Sequence, residues 1–440
     1  MENTNKEGKL NKILESPKCF NCNINLEQYY TYCEMCNKHF CLNCLFIHKH
    51  HEKMKNGNYQ LKDIKFDKNH FEKKKNNGNS EIKNERHYGI DLLRIYAMVN
   101  VVILHSLKLS KLIFLKNNSR IYCSAWFLET FCYNAVNTCG MISGYVMINT
   151  EFNGFKIIPL WFHLFYYKLF FIMTDFFLYQ KRTKLIHTKN FLFSLYFPAI
   201  NQNNWYYTSY FCMYFFIPFM NKVILLMNKS ENKKLCLTIL IIYCILPFMT
   251  LKNDDPFSIK EGYCPLWLMF LYIIGANLKL FPLQISKIKL ILLFFLSMII
   301  PWIIKLISYF SSIYRKKYVL GIFIQYNSIF MVLNAIFLIS FFSQLKIKSK
   351  LIVMIIKSIT PLTFGVYLIH SRIIGKYFVR KISVLKNQHY IKMNLKVIMY
   401  SLQISLLSLL IDYSRYIFFK LIKIDKLPNT LKKIIKIKIY

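Results

Sequence analysis

Apolar positions are not spread evenly along this chain of 440 residues. Residues 1–88 are polar and rich in Asn, Lys and Glu, whereas from Ile90 onward long apolar blocks alternate with short basic joints. A block of about 18 or more apolar residues is what a helix needs to cross a bilayer. The pattern predicts about ten spans, at residues 90–109, 123–148, 158–179, 205–227, 235–251, 263–281, 288–310, 318–342, 359–378 and 397–422. A shorter apolar piece at 190–200 reads as re-entrant or interfacial. The expected fold class is therefore an all-α polytopic membrane protein, with its membrane domain over 88–425. Ahead of it stand a disordered segment at 1–17, a Cys/His cluster at 18–52 and a Lys/Asn/Gly-rich solvated linker at 53–87. The first apolar block starts too late for a cleavable signal peptide. Residues 426–440 alternate Lys with Ile and Leu, as suits an amphipathic basic tail at a membrane surface.

Charge changes this picture little. The formal net charge is +38, of which +5 falls in residues 1–88 and +33 in the rest. Basic joints suit anionic headgroups and anionic substrates. No contiguous basic face exists outside the joints, so the expectation is no nucleic-acid partner. Lys and Arg do not fix the orientation either. Lys229, Lys233 and Lys234 fall on one side with Lys346, Lys348 and Lys350, but Lys181, Arg182 and Lys184 fall on the other with Arg315, Lys316 and Lys317.

The N-terminal cluster reads Cys19-x2-Cys22-x10-Cys33-x2-Cys36-x4-Cys41-x2-Cys44-x3-His48-x2-His51. Each Cys-x2-Cys offers two thiolates from one tight turn, half of a tetrahedral zinc site. Three such pairs and two histidines make two Zn2+ sites. The module holds few large apolar residues, so zinc would supply most of its folding free energy. Thiol ligands imply a reducing compartment and hence a cytosolic N-terminus; ten spans would return the C-terminus to the same side. The order resembles the B-box zinc finger, closest to its first type. That resemblance implies a cross-brace: Cys19, Cys22, Cys41 and Cys44 on one ion, and Cys33, Cys36, His48 and His51 on the other. His50 competes for the last place, and His39 is a bystander. It also implies a protein partner or self-association.

Charged groups inside a bilayer are expensive, so they mark function by default. The first span carries Asp91, Arg94 and His105. On a helix Arg94 and His105 fall within about 20° of one face and about 16 Å apart along the axis, with Asp91 about 40° off. One reading gives the guanidinium a phosphate-rich ligand and the imidazole a general-base role on a hydroxyl or amine. The other makes Asp91 and Arg94 a headgroup-level anchor and His105 a hydrogen-bonded helix contact. Spacing alone leaves both open. His370, near the end of a later span, is a weaker candidate. Glu129, His163, Asp175 and Asp412 also lie in apolar surroundings, and each reads first as a packed polar contact or an interfacial residue. Trp205-Tyr206-Tyr207 reads first as an interfacial belt.

Four ordered stretches resemble the integral-membrane acyltransferase family 3, whose members acylate surface sugars and lipids. They are Gly89-Ile-Asp91-Leu-Leu-Arg94 through His105, Met141-Ile-Ser143-Gly144-Tyr145, Asn204-Trp205-Tyr206 through Pro218-Phe, and Phe364-Gly365-Val-Tyr367-Leu-Ile-His370. Two features depart from the family pattern. Ser371 and Arg372 stand where a proline often follows the histidine, and Lys156 is the only basic residue near the start of the third span. The resemblance implies an acyl-CoA co-substrate, usually acetyl-CoA, with Arg94 at the coenzyme A phosphates and His105 as base or acyl relay. Asp91 and His370 join the expected donor site. The acceptor would be a hydroxyl or amine of a sugar or lipid. A transporter and a non-catalytic scaffold displaying the zinc module are the alternative functions.

Overall fold

The computed structural model describes residues 30–33, 38–41, 51–53, 59–61, 86–179, 204–249, 255–311 and 322–435. The chain divides into two compact units, Met1–Glu85 and Arg86–Tyr440. In the first, β1 (Tyr30–Cys33) pairs antiparallel with β2 (Lys38–Cys41), Tyr30 opposite Cys41 and Cys33 opposite Lys38. A second antiparallel pair joins β3 (His51–Lys53) to β4 (Tyr59–Leu61), the latter within the Lys/Asn/Gly-rich stretch at 53–87.

The described part of the second unit is all-helical. Its helices are α1 (Tyr88–Leu109), α2 (Ser119–Cys132), α3 (Ala135–Met147), α4 (Ile157–Tyr179), α5 (Trp205–Leu226), α6 (Lys229–Leu240), α7 (Pro265–Leu280), α8 (Lys287–Phe310), α9 (Ile329–Ser343), α10 (Lys350–Ile359), α11 (Thr363–Ile373), α12 (Tyr390–Leu421) and α13 (Leu427–Ile435). Six helical runs among the described residues are long and apolar enough to cross a membrane: Tyr88–Leu109, Gly154–Phe177, Trp205–Leu226, Lys287–Phe310, Lys350–Ile373 and Tyr390–Leu421. This makes the chain an integral membrane protein.

The other four expected spans differ for physical reasons. The run 123–148 breaks at Tyr133–Asn134, where the Asn134 amide donates to the Phe131 carbonyl (2.8 Å) and satisfies a backbone group that the break frees. The run 235–251 passes through a π turn at Ile241–Ile245. Helices α7 and α9 are 16 and 15 residues long, because chain ahead of each folds into short turns at Lys260–Gly262 and Ile322–Ile324. The piece at 190–200 lies outside the described residues.

The helices turn their apolar faces outward. On α12 the exposed stripe is Leu395, Leu402, Leu406 and Leu410, while the buried face carries Ser401, Ser405, Ser408, Asp412 and Arg415. In lipid there is no hydrophobic gain from joining two helices, so small residues and polar ties set their packing. Gly144 of α3 and Gly275 of α7 show the first device. A Cβ on Gly144 would stand 1.9 Å from the Tyr272 carbonyl oxygen, and one on Gly275 would stand 1.9 Å from that of Met141. The two backbones touch where they cross.

Contacts define two ends of the bundle. At the end where α1 starts, the His87 ring caps α1 by accepting from Ile90 N–H, and its Nε2 donates to the Ser343 carbonyl of α9 (2.9 Å). Helix α13, the tail expected to lie on a membrane, packs at this end: Asn153 donates to Asn429, and Lys432 pairs with Glu151. At the far end, Tyr309 of α8 reaches the Lys116 carbonyl, and Ser124 of α2 reaches that of Tyr390.

Candidate active site

The centre of the site is a pair of histidines 265 residues apart in sequence. His105, on α1, and His370, on α11, bring Nδ1 and Nε2 to 3.0 Å, with ring centroids 4.7 Å apart. The tautomers follow from the partners. His370 Nδ1 lies 2.9 Å from the Val366 carbonyl oxygen, one turn back on its own helix. A carbonyl only accepts, so His370 Nδ1 carries a proton. In the neutral ring Nε2 is then bare and accepts from His105 Nδ1–H. That leaves Nε2 of His105 as a free lone pair. His370 is buried and His105 half-buried.

Both rings line a cavity of about 200 Å3. Its wall gathers one residue or more from many elements: Met98 and Lys108 of α1, Glu129 of α2, Trp205 and Tyr206 of α5, and Tyr367 of α11. Tyr263 and Tyr326, from the turns ahead of α7 and α9, complete an aromatic corner. Trp205 lies 4.6 Å from Tyr263, Tyr263 lies 4.9 Å from Tyr326, and Tyr326 lies 4.8 Å from Tyr133. Asn137 of α3 holds this corner in place, donating to the Tyr326 carbonyl (2.7 Å) and accepting from the Trp267 indole (3.1 Å). These turns and helix starts belong to the far end of the bundle.

Arg94 lies toward the other end of α1. Its Nη1 reaches Asp91 Oδ1 at 3.2 Å, and Arg86 pairs with the second oxygen of the same carboxylate. Since α1 is unbroken from Tyr88 to Leu109, Arg94 and His105 share one face about 16 Å apart. The structure brings His370 to His105 rather than to Arg94 and Asp91. Without a proline after the histidine, α11 runs on through Ser371 and Arg372, and Arg372 pairs with Asp175 of α4 at 2.6 Å.

Asp412 and His163 meet elsewhere. Asp412, fully buried, accepts from His163 Nε2 (3.0 Å), Tyr167 (2.7 Å), and Arg415 Nε and Nη2 (2.9 and 2.6 Å). Every oxygen is satisfied, which marks a structural knot joining α4 to α12. Trp205 and Tyr206, read first as an interfacial belt, line the cavity instead. Glu129 is the residue whose place the sequence least disclosed. It is buried on the cavity wall, and its Oε2 has no hydrogen-bond partner.

Of the eight expected zinc ligands, Cys33 ends β1, Cys41 ends β2 and His51 opens β3. Cys19, Cys22, Cys36, Cys44 and His48 lie outside the described residues, and among the described residues no group of three or more His, Cys, Asp or Glu could hold a metal ion.

The family model for the family 3 acyltransferase domain matches residues 87–412, from the histidine that caps α1 to the aspartate at the centre of the buried knot. No curated protein and no solved structure matches the chain.

Proposed function

The chain belongs to acyltransferase family 3, a membrane-embedded transferase of groups other than amino-acyl groups, and on that premise we propose that it moves an acyl group, acetyl in the simplest case, from acyl-CoA to a hydroxyl or amine of a sugar or lipid acceptor, with His105 as general base. The single observation that carries this reading is the His105–His370 pair on the cavity wall, with its tautomers fixed by the Val366 carbonyl.

The chemistry follows from the free lone pair. His105 Nε2 takes the proton of the acceptor hydroxyl as its oxygen attacks the thioester carbonyl. The imidazolium that forms keeps donating from Nδ1 to His370, which spreads and stabilises the new charge. The C–S bond then breaks, and Nε2 returns the proton to the departing thiolate. Arg94 fits the phosphates of coenzyme A, since guanidinium forks match phosphate oxygens. The rise of α1 between Arg94 and His105 lets an extended pantetheine arm carry the thioester from one to the other.

The N-terminal module would hold two Zn2+ ions. The donor set fits: three Cys-x2-Cys pairs and two imidazoles are the ligand types and number for two tetrahedral sites. The hairpin register is compatible with the crossed assignment, as with any that puts Cys33 and Cys41 on different ions. Cys33 and Cys41 stand at opposite ends of a four-residue ladder, about 10 Å apart by strand rise, too far to share one ion. Bound zinc would supply folding free energy and a rigid surface for a protein partner or self-association. Its thiol chemistry puts the N-terminus, and with it Arg94, on the cytosolic side, where acyl-CoA is made.

The direct test incubates membranes bearing the protein with labelled acetyl-CoA and asks which molecule becomes labelled. Loss of general-base help lowers turnover by about 10²–10⁴-fold in His105→Ala. Wild-type turnover in that variant removes the assignment.

A further inference from the structure

We propose that Glu129 and the neighbouring tyrosine hydroxyls form the acceptor end of the cavity and select an acceptor that carries a protonated amine, such as an amino sugar. The proposal rests on the acyl-transfer reading for the word acceptor, and on Glu129 for its chemistry. Three other carboxylates of the helical bundle each have an arginine: Asp91 pairs with Arg86 and Arg94, Asp175 with Arg372, and Asp412 with Arg415. Glu129 has none among the described residues. It is 7% exposed, its Oε2 is without a partner, and it faces the same cavity as the histidine pair. A buried carboxyl oxygen with nothing to bond carries a desolvation cost, and a cationic donor placed beside it both completes the bond and favours the ionised form.

The surroundings say which ligand. Tyr133, Tyr263 and Tyr326 line the same cavity as Glu129, with Tyr326 in ring contact with both of the other two. With Trp205 these rings form the aromatic corner described above. An anionic acceptor would be repelled by the carboxylate. A neutral polyol could donate hydrogen bonds but brings no charge to favour the ionised carboxylate. An ammonium supplies both donors and the opposite charge, and the faces of Tyr and Trp attract it further. Lys108, the one lysine or arginine on the cavity wall among the described residues, is exposed at the end of α1 and is too far from Glu129 for an ion pair. The amine would then be the anchor. A hydroxyl of the same ligand would be the nucleophile presented to His105 Nε2.

The probes are methyl glucosaminide and methyl glucoside, which differ by an ammonium in place of a hydroxyl, titrated calorimetrically into the purified full-length protein. Wild type should bind the glucosaminide at least about tenfold more tightly, and Glu129→Gln should reduce that preference to less than about twofold, with Glu129→Asp keeping part of it. Equal binding of the two probes to wild type, or an undiminished preference in Glu129→Gln, overturns the proposal. If Glu129→Gln fails to fold, Tyr263→Phe replaces it: a lowered amine preference supports the subsite and an unchanged one overturns it. Coenzyme A is titrated into the same preparation. Amine binding without coenzyme A binding keeps the subsite and removes the acyl-transfer reading, whereas the reverse removes the subsite alone.

Discussion

Replacing His370 tests the tautomer argument more sharply than replacing His105, because two conservative variants should fail differently. His370 makes two bonds, donating from Nδ1 to the Val366 carbonyl and accepting at Nε2 from His105. Asparagine places its amide near the Nδ1 position and keeps the first bond while losing the second. Glutamine reaches the Nε2 position and can offer its carbonyl oxygen to His105 Nδ1–H while losing the first. The second bond is the one that strengthens as His105 becomes an imidazolium. A hydrogen bond to a charged group contributes about 1.5–3 kcal/mol, which is roughly a 10- to 150-fold change in rate. His370→Asn should therefore lose roughly that factor in kcat, and His370→Gln should retain most of its activity. KM for acyl-CoA should stay near wild type in both, since the bond gains strength only in the transition state. Initial rates of coenzyme A release over a range of acyl-CoA concentrations give both constants. If His370→Asn turns over as fast as His370→Gln, the assigned proton positions are wrong.

Three further outcomes follow from the geometry. Arg94→Ala should raise KM for acyl-CoA roughly 10- to 100-fold with kcat little changed, with Arg94→Lys in between, because lysine keeps the charge but loses the fork; saturation kinetics check both. Gly144→Val should cost about 1–3 kcal/mol or more in stability, since even its Cβ would meet the Tyr272 carbonyl at 1.9 Å, and a thermal melt in detergent reads the loss. Asp412→Asn should lower the melting temperature strongly, because it leaves Arg415 buried beside a neutral partner, a defect of about 3–5 kcal/mol; an unchanged melt would show that the knot contributes little.

What the sequence disclosed and what it hid divide along a physical line. Period and spacing are local, and local features were legible: the apolar runs, the face shared by Arg94 and His105, and the four ordered stretches, each of which places a residue at a helix crossing or on the cavity wall. Those residues are His105 on α1, Gly144 at the α3–α7 crossing, Trp205 and Tyr206 on the cavity wall, and His370 on α11. The break at Tyr133–Asn134 was hidden because one asparagine barely interrupts an apolar run, yet its side chain can satisfy the backbone it frees. The meeting of His105 with His370 has no local signature at all, since it depends on how α1 and α11 pack. The isolation of Glu129 is equally a tertiary fact. A glutamate in an apolar stretch looks the same on the page whether or not an arginine waits opposite it.

The clamping of α11 explains how a pair of histidines can hold one geometry in a bundle that lipid does little to compress. Near its start, Gly365 lies so close to Asp412 that a Cβ would stand 2.0 Å from the carboxyl carbon, and Asp412 is bonded to His163 and Tyr167 of α4. Near its end, Arg372 pairs with Asp175, two turns further along the same α4. His370 sits between these two ties, with its ring turned by the Val366 carbonyl toward α1. Helix α4 is thus a splint for α11, directly through the Arg372–Asp175 pair and, at the other point, through Asp412 of α12, against which Gly365 packs. Ser371 and Arg372 in place of a proline then have a structural meaning. A proline after His370 would interrupt the helix at the point where, in this chain, Arg372 supplies the second tie. The charges outside the cavity thus set the register in which α11 brings His370 to His105 on α1.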